Sequence, residues 1–355
     1  MQLKAVDFFC GAGGMSYGLR TAGIDVLAGI DCNESCCETY ERNNAPARFI
    51  NADITEVSPR SLSRRLRVSR YDDSVIFVGC SPCQFWSKMN TDKRKSRKSI
   101  FLLTEFERFV DWFRPGFVLI ENVPGLQSKK RPAILPQFKK FLRQRDYAIA
   151  HGVINAVDYG VPQKRKRYLL IATRLTKRIE MPAPSGTKLH VRDRIGPHNG
   201  FAQIKAGHSD NTMFRHSAAA LSPMNQQRIS RTPVDGGTRA SWRGDAELQI
   251  PAYKGKDRNF TDVYGRMFWD KPAPTITTRF NSLSNGRFGH PQENRAISLR
   301  EGAVLQSFPK RYVFRGGNAA EIARQIGNAV PPALARRVGT HLLRVFRDSQ
   351  KVARD

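Results

Sequence analysis

The sequence predicts an α/β fold, a doubly wound and mostly parallel sheet, followed by a smaller, loop-rich second domain. Through the first 175 residues, short β-rich runs alternate with helical apolar spacing, the order that builds a parallel sheet with helices on both faces. From about residue 181 the texture changes to Pro, Gly, Ser, Asn and Arg with weak periodicity, as in "MPAPSGTK" and "RTPVDGGTRASWRG". At 355 residues the chain has room for roughly two domains of about 100 to 200 residues each.

Taken in order, strands are expected at 5–9, 26–30, 75–78, 118–120 and 168–172, and helices at 15–21, 36–43, 101–113 and 134–145. The first strand runs through "VDFFCGAGG", residues 6–14, into a glycine-rich turn and a helix. Glycines there let the backbone approach a ligand, and a helix amino terminus favours an anion; a tight turn with no ligand is the plain alternative. Asp31 closes the second strand about 20 residues after the glycines, where such folds hold a ribose. Asp53, in "NADIT", stands at the next strand end. Each is equally able to be a helix cap. In the second domain Trp242, Phe260, Tyr264, Phe268 and Trp269 are more aromatic side chains than a disordered segment carries. The last stretch, "NAAEIARQIGNAVPPALARRVGTHLLRVF", is helical around a Pro-Pro break and ends in an amphipathic helix.

Charge narrows the partners. Fifty-nine Lys and Arg against thirty-one Asp and Glu give +28, a sign and size that attract a polyanion. Nucleic acid is the first expectation and an anionic membrane surface the second. No apolar run reaches about 18 residues and no leader pattern opens the chain, so a soluble, cytoplasmic or nucleoid-associated protein outside the membrane is expected. All six cysteines precede residue 84. Such clustering suits chemistry or core filling better than a disulfide framework.

The stretch "GCSPCQFWS", residues 79–87, puts Cys83 just past a buried strand, at the ligand edge of the sheet. Cys80 and Cys83 form a C-x-x-C pair that admits a redox couple or half a metal site, with Cys32, Cys36 and Cys37 as candidates for the other half. With no His near them and no common zinc spacing, no metal is expected. A buried inert thiol is a further reading. The functional one makes Cys83 a nucleophile in an electropositive surrounding. Six of the twelve residues in "KMNTDKRKSRKS", 88–99, are basic and supply that surrounding, unless they are simply a solvated loop. "VLIENVPG", 118–125, delivers Glu121 and Asn122 at a strand terminus, where burial lets a carboxyl donate a proton at neutral pH. "VPQKRKRYLLIA", 161–172, brings Arg165 and Arg167 to one face to grip an anion or orient the glutamate, with a generic basic run as the alternative.

Together and in this order, the segments resemble the DNA cytosine carbon-5 methyltransferases. "DFFCGAGGMSYGL" is similar to the family's entry motif, "SPCQFWS" to its catalytic Pro-Cys, "ENVPG" to its Glu-Asn-Val and "QKRKR" to its Gln-x-Arg-x-Arg. "NRAISLREGAVLQSFP" and "QIGNAVPP" resemble its last two motifs. The resemblance implies the class I fold of S-adenosylmethionine-dependent methyltransferases, of a bacterial, restriction-modification or solitary type. It further implies a catalytic domain at 1–180, a target-recognition domain at 181–317 and a segment, 318–355, returning to the first. Phe9, Gly11 and Gly14 would cradle S-adenosylmethionine, with Asp31 on the ribose and Asp53 and Ile54 near the adenine. Asn328, Ala329 and Val330 would complete that pocket.

By the same resemblance Cys83 attacks carbon 6 of a cytosine, Glu121 holds ring nitrogen 3 and the exocyclic amine, Arg165 supports the substrate carbonyl and that glutamate, and Arg167 braces them. The base must leave the duplex to be reached, at a cost of about a few kcal/mol, and the segment 88–99 resembles the loop that closes over it. Double-stranded DNA is the implied partner, with a cognate restriction endonuclease a functional one, and the chain is expected to act as a monomer. A transfer-RNA cytosine methyltransferase, a non-catalytic DNA-binding protein and a nicotinamide-dependent oxidoreductase are the alternatives. Asp31 stands where many members have glutamate, Cys32 where an aromatic often stacks, and Cys80 where glycine is frequent.

Overall fold

The strands form where the sequence is densest in branched and aromatic residues. They are β1 (Lys4–Phe8), β2 (Asp25–Asp31), β3 (Arg48–Asn51), β4 (Val75–Gly79), β5 (Phe117–Asn122), β6 (Ala148–Asn155) and β7 (Lys166–Thr173). The computed structural model describes residues 2–81, 93–127, 134–253 and 260–352. Its seven-stranded sheet has the order β3-β2-β1-β4-β5-β7-β6. The pairs among β1 to β5 are parallel, whereas β7 runs antiparallel to β5 and β6. β4 and β5 are buried at every position, as strands covered on both faces must be.

The helices are α1 (Gly14–Thr21), α2 (Cys37–Asn44), α3 (Pro59–Leu66), α4 (Lys93–Phe113), α5 (Ile134–Arg143), α6 (Pro223–Arg231), α7 (Leu299–Leu305), α8 (Ala319–Asn328) and α9 (Pro332–Val352). Among the described residues, none is long and apolar enough to cross a membrane. The chain divides into two compact units. The first comprises Met1–Asn155, Lys166–Pro184 and Val330–Asp355, and the second Ala156–Arg165 and Ser185–Ala329. These divisions differ from cuts at 181 and 318: α8 and residues 156–165 belong to the second unit.

In the first unit Phe8 sits in a fully buried cluster, its ring 5.1 Å from Phe77, 5.2 Å from Phe106 and 5.0 Å from Phe109. These contacts fix α4 across the centre of the sheet. α9 closes the unit against α1, where Gly18 leaves no room for a side chain: a Cβ there would lie 2.3 Å from that of Ala335 and 2.5 Å from the Pro332 carbonyl oxygen. One strand absent from the sequence reading, β6, is an Ala- and Gly-containing edge strand with weak β signal, and β3, expected only through its end near Asp53, is a four-residue piece. α3 also escapes that reading, because Arg and Ser fill most of its turns. Residues 93–99, expected in a loop, form the first turns of α4.

The second unit has little regular structure, and buried guanidinium groups hold its loops. Arg266 donates to the carbonyls of Ile229, Thr232, His290 and Glu293, and Arg300 to those of Met213, Phe214 and Tyr312. A separate core of Ile229, Trp242, Leu248, Val263 and Tyr264 packs beside them. Trp242 and Tyr264 are thus packing residues, while Phe260 is exposed.

Candidate active site

At the carboxyl edge of the sheet the chain leaves β1 through Phe9, whose φ of 63° is left-handed, and reaches Gly11 at 49° and Gly13 at 82°. A phenylalanine in that region is an outlier that surrounding structure must enforce. The turn is closed from the neighbouring strand. Gly11 N–H donates to Asp31 Oδ2 at 2.8 Å and Asn33 N–H to Asp31 Oδ1 at 2.9 Å. Burial raises the Asp31 carboxyl above its usual range, and hydrogen bonds from the Asn33, Gly11 and Cys32 backbone oppose that rise. Asp31 therefore holds the glycine turn, and each carboxylate oxygen keeps a further lone pair to accept from a ligand. α1 begins at Gly14 with Gly13 as its cap residue; the buried Asp7 carboxylate takes the Ser16 N–H, and the N–H groups of Gly14 and Met15 can be offered to an anion.

Asp53 is exposed and accepts from the Thr55 N–H at 2.9 Å and the Thr55 hydroxyl at 2.8 Å, a local turn that fixes its direction. The Ile54 side chain is core, and its carbonyl accepts from Arg108 at 2.8 Å; it anchors Asp53. Asp7, which opens the quoted entry motif but has no role assigned in it, lies fully buried under the turn. It accepts from the Ser16 hydroxyl at 2.6 Å, and Ser16 is 3.0 Å from the Tyr40 hydroxyl. Burial pushes the Asp7 carboxyl up to about 7; the Ser16 hydrogen bond pulls against this and the nearby Asp31 adds to it.

β5 delivers the second half of the site. Glu121 is almost fully buried, and Arg167, at the start of antiparallel β7, brings Nε to 2.9 Å from its Oε1. The approach lies off the hydrogen-bond direction, so Oε1 has charge compensation but no hydrogen-bond partner. Asn122 donates through Nδ2 to the Ser81 carbonyl at 3.0 Å and lies 3.2 Å from the Ser81 hydroxyl, while Val123 N–H donates to its Oδ1 at 2.8 Å. This clamp fixes the chain two residues before Cys83. Cys83 itself, and residues 88–92 of the basic segment, lie outside the described residues. Asn122 was legible only as a neighbour of Glu121; nothing in the sequence told that its amide ties β5 to the segment after β4.

Arg165 has described partners of its own. It is buried in the second unit, where it donates to the carbonyls of Ile276 at 2.9 Å, Gly327 at 3.0 Å and Ala329 at 3.2 Å. Gln163 and Gln306 extend this set. Gln163 Nε2 donates to Gln306 Oε1 at 2.5 Å, and Gln306 donates to the carbonyls of Ile326 and Ala329 at 3.2 and 2.8 Å. Of the two arginines of "QKRKR", Arg167 thus lies against the glutamate and Arg165 holds carbonyls at the end of α8. Asn328 is exposed there, and Ala329 and Val330 are buried.

Cys10, Cys36 and Cys80 are held well above the ordinary thiol range, Cys36 at about 12, with burial the largest cause for each. They fill core space and resist becoming thiolates. Among the described residues, a metal-sized grouping occurs at His290, Glu293 and Glu301. Its carboxylates are already occupied: Arg295 makes a two-armed pair with Glu301 at 2.7 and 2.9 Å and reaches Glu293 at 3.0 Å. His290 Nδ1 accepts two backbone N–H groups, so Nε2 carries the ring proton and has no lone pair for a cation.

The model of C-5 cytosine-specific DNA methylases matches residues 3–344. The chain is 40% identical over 346 residues to the type II methylase M.HgiDII of Herpetosiphon aurantiacus, covering 96% of this chain and 94% of that one. It is 32% identical to the type II methyltransferase M1.HphI of Haemophilus parahaemolyticus, covering 97% and 88%. In fold it is similar to an E. coli prophage-encoded protein described as a DNA modification methyltransferase, with a TM-score of 0.75 at 21% identity over 98% of this chain and all of that one. The Dnmt2 methyltransferase of S. pombe shares the fold at a TM-score of 0.60 and 16% identity, over 99% of each chain. The family match favours DNA over transfer RNA as the substrate. The chain belongs to the C-5 cytosine-specific DNA methylase family, whose members transfer a methyl group to carbon 5 of cytosine in DNA.

Proposed function

We propose that this methyltransferase acts on a cytosine within a specific duplex sequence, through a transient bond between Cys83 and carbon 6 of a base turned out of the helix. The observation that supports it most is the pair of fixed points at the ends of β4 and β5: the Glu121–Arg167 pair at 2.9 Å beside the Asn122 clamp on Ser81. Carbon 5 of cytosine is a poor nucleophile. Addition of the Cys83 thiolate at carbon 6, with Glu121 held against ring nitrogen 3, turns the ring into an enamine that is nucleophilic at carbon 5. Loss of the carbon-5 proton after methylation returns the ring electrons and expels Cys83. Arg167 keeps Glu121 oriented through both steps.

The glycine turn, the first N–H groups of α1 at Gly14 and Met15 and the carboxylates of Asp31 and Asp53 fit S-adenosylmethionine, an amino acid carboxylate joined to a ribose and an adenine. Bound there, it supplies an electrophilic methyl group on a sulfonium. Phe9, Gly11 and Gly14 leave backbone close to it, and Ile54 sets the position of Asp53. The second unit, loop-built and rich in Arg, suits base readout in the major groove. Likeness to type II methylases supports a cognate restriction endonuclease and a cytoplasmic location, and a monomeric enzyme is part of the same proposal. A duplex carrying 5-fluorocytosine at the methylated site is expected to crosslink to Cys83 when methyl donor is present. Cys83→Ala should bind DNA yet give no crosslink and no methylation, and turnover by that variant would remove Cys83 from the mechanism. Mapping methylated cytosines in DNA from cells expressing the chain identifies the site.

A further inference from the structure

The outward face of α3 carries a charge that the active site does not use. Five arginines, Arg60, Arg64, Arg65, Arg67 and Arg70, fall within residues 58–70, and no Asp or Glu occurs between Glu56 and Asp72. All five are exposed, while Leu62 and Val68 turn into the core. Arg70 is used structurally, donating through Nε to the Trp112 carbonyl at 2.9 Å. Among the described residues Arg60, Arg64, Arg65 and Arg67 make no ion pair, although Glu105 and Asp111 of neighbouring α4 are paired with Arg108, Arg114 and Arg145.

Two features set this face apart from an ordinary solvated one. Soluble surfaces intersperse charges of both signs, and here one sign runs unbroken. Arg60 also lies in the first turn, beside Pro59 at the start of the helix, where the dipole disfavours a cation, and it shares a stripe with Arg64 four residues on. That arrangement costs helix stability in the free protein, and a polyanion laid along the helix relieves it.

Topology places the face. α3 starts after β3, at the carboxyl edge that holds Asp53, and as the crossover to parallel β4 it runs back to the amino edge. At that far end Tyr71 N–H donates to the Phe113 carbonyl at the close of α4. We infer that the outward face of α3 grips the phosphate backbone of duplex DNA, at a segment other than the one whose cytosine enters the active site. Family membership makes DNA the polyanion this chain meets, and the proposal adds a second place of contact. Such a grip would hold the enzyme on long DNA between target sites.

The test compares the whole chain with a triple variant, Arg60→Gln, Arg64→Gln and Arg65→Gln, which keeps good helix formers. Binding to a long duplex of several tens of base pairs is followed as salt rises. Each lost phosphate contact lowers the slope of log Kobs against log salt by about 0.9, so a loss of about 2 to 3 in slope is expected. On a duplex too short to reach both edges the slope and the methylation rate should not change. The corresponding Lys variant should keep the full slope, since charge alone carries the contact. An unchanged slope on long DNA overturns the proposal, as does an equal loss on the short duplex. Weakened binding to anionic phospholipid vesicles with DNA slopes intact would overturn it in favour of a membrane surface. The slope needs no turnover, so failure of the Cys83 mechanism would leave it untouched.

Discussion

At the residue scale, Asp7 beneath the glycine turn and Arg167 beside Glu121 are the side chains whose charge can be tested. Asp7 has a folded-state pKa of about 7, raised by burial from 3.8. The folded chain therefore binds more protons than the unfolded one between those values, and stability falls as pH rises from about 4 through about 7. The loss approaches roughly 4 kcal/mol at most. Asp7→Asn still accepts from Ser16 and has no charge to bury, so its melting temperature should exceed that of the parent above pH 7 and lose the slope below it. A parent-like pH profile in this variant would mean that another group titrates. Arg167→Lys should lower kcat at least tenfold with little change in melting temperature, because a single ammonium replaces the directed guanidinium beside Glu121. Arg165→Lys should do the reverse first: it abandons at least one of three buried carbonyls, at about 1 to 3 kcal/mol each, and thermal melting measures that loss.

At the scale of elements, packing decides what periodicity left open. α1 and α9 lie far apart in sequence and meet only because Gly18 lets the backbone at Pro332 approach. Gly18→Ala would push a methyl into a backbone oxygen that cannot swing away, so about 1 to 3 kcal/mol of destabilisation is expected, read by urea unfolding. β4 and β5 were legible as continuous apolar runs, the mark of strands buried on both faces. β6 was not, and β3 only through its end near Asp53, because an edge strand can be short, polar or rich in small residues and still take its hydrogen bonds from a neighbour. α3 was illegible for the converse reason: its Ser58 cap and Pro59 are good start signals, but two inward leucines give too little period to detect.

The groups around His290 and Asp7 are expected to respond to acid in opposite directions. Burial lowers the His290 pKa from 6.5 to about 4, and the paired Arg295 takes Glu301 from 4.5 to about 2 against the penalty of its burial. Both depressed values favour the folded state above the unfolded pKa, and that stability is lost as pH falls, from about 6.5 for His290 and from about 4.5 for Glu301. The His290 part is about 3 kcal/mol at most. Hydrogen exchange around residues 290–301 should therefore quicken between pH 6.5 and 4 while β1 and α1, relieved at Asp7, are slowed. His290→Gln should flatten the first effect; uniform exchange across both units would show that the molecule opens as one.

The sequence by itself determined the α/β class and the family, and it singled out the glycine turn, Cys83, Glu121 and the arginine pair as candidates, because chemistry at a strand end demands particular residues in fixed local order. Tertiary structure decided which arginine meets the glutamate, that Asn122 clamps Ser81, that Asp7 lies beneath the turn, and that α8 and residues 156–165 join the second unit. Each of these depends on strands and loops remote in sequence coming within hydrogen-bonding distance. Local spacing holds no record of that, and only the register of β5 against β7 and the burial around each group resolve it.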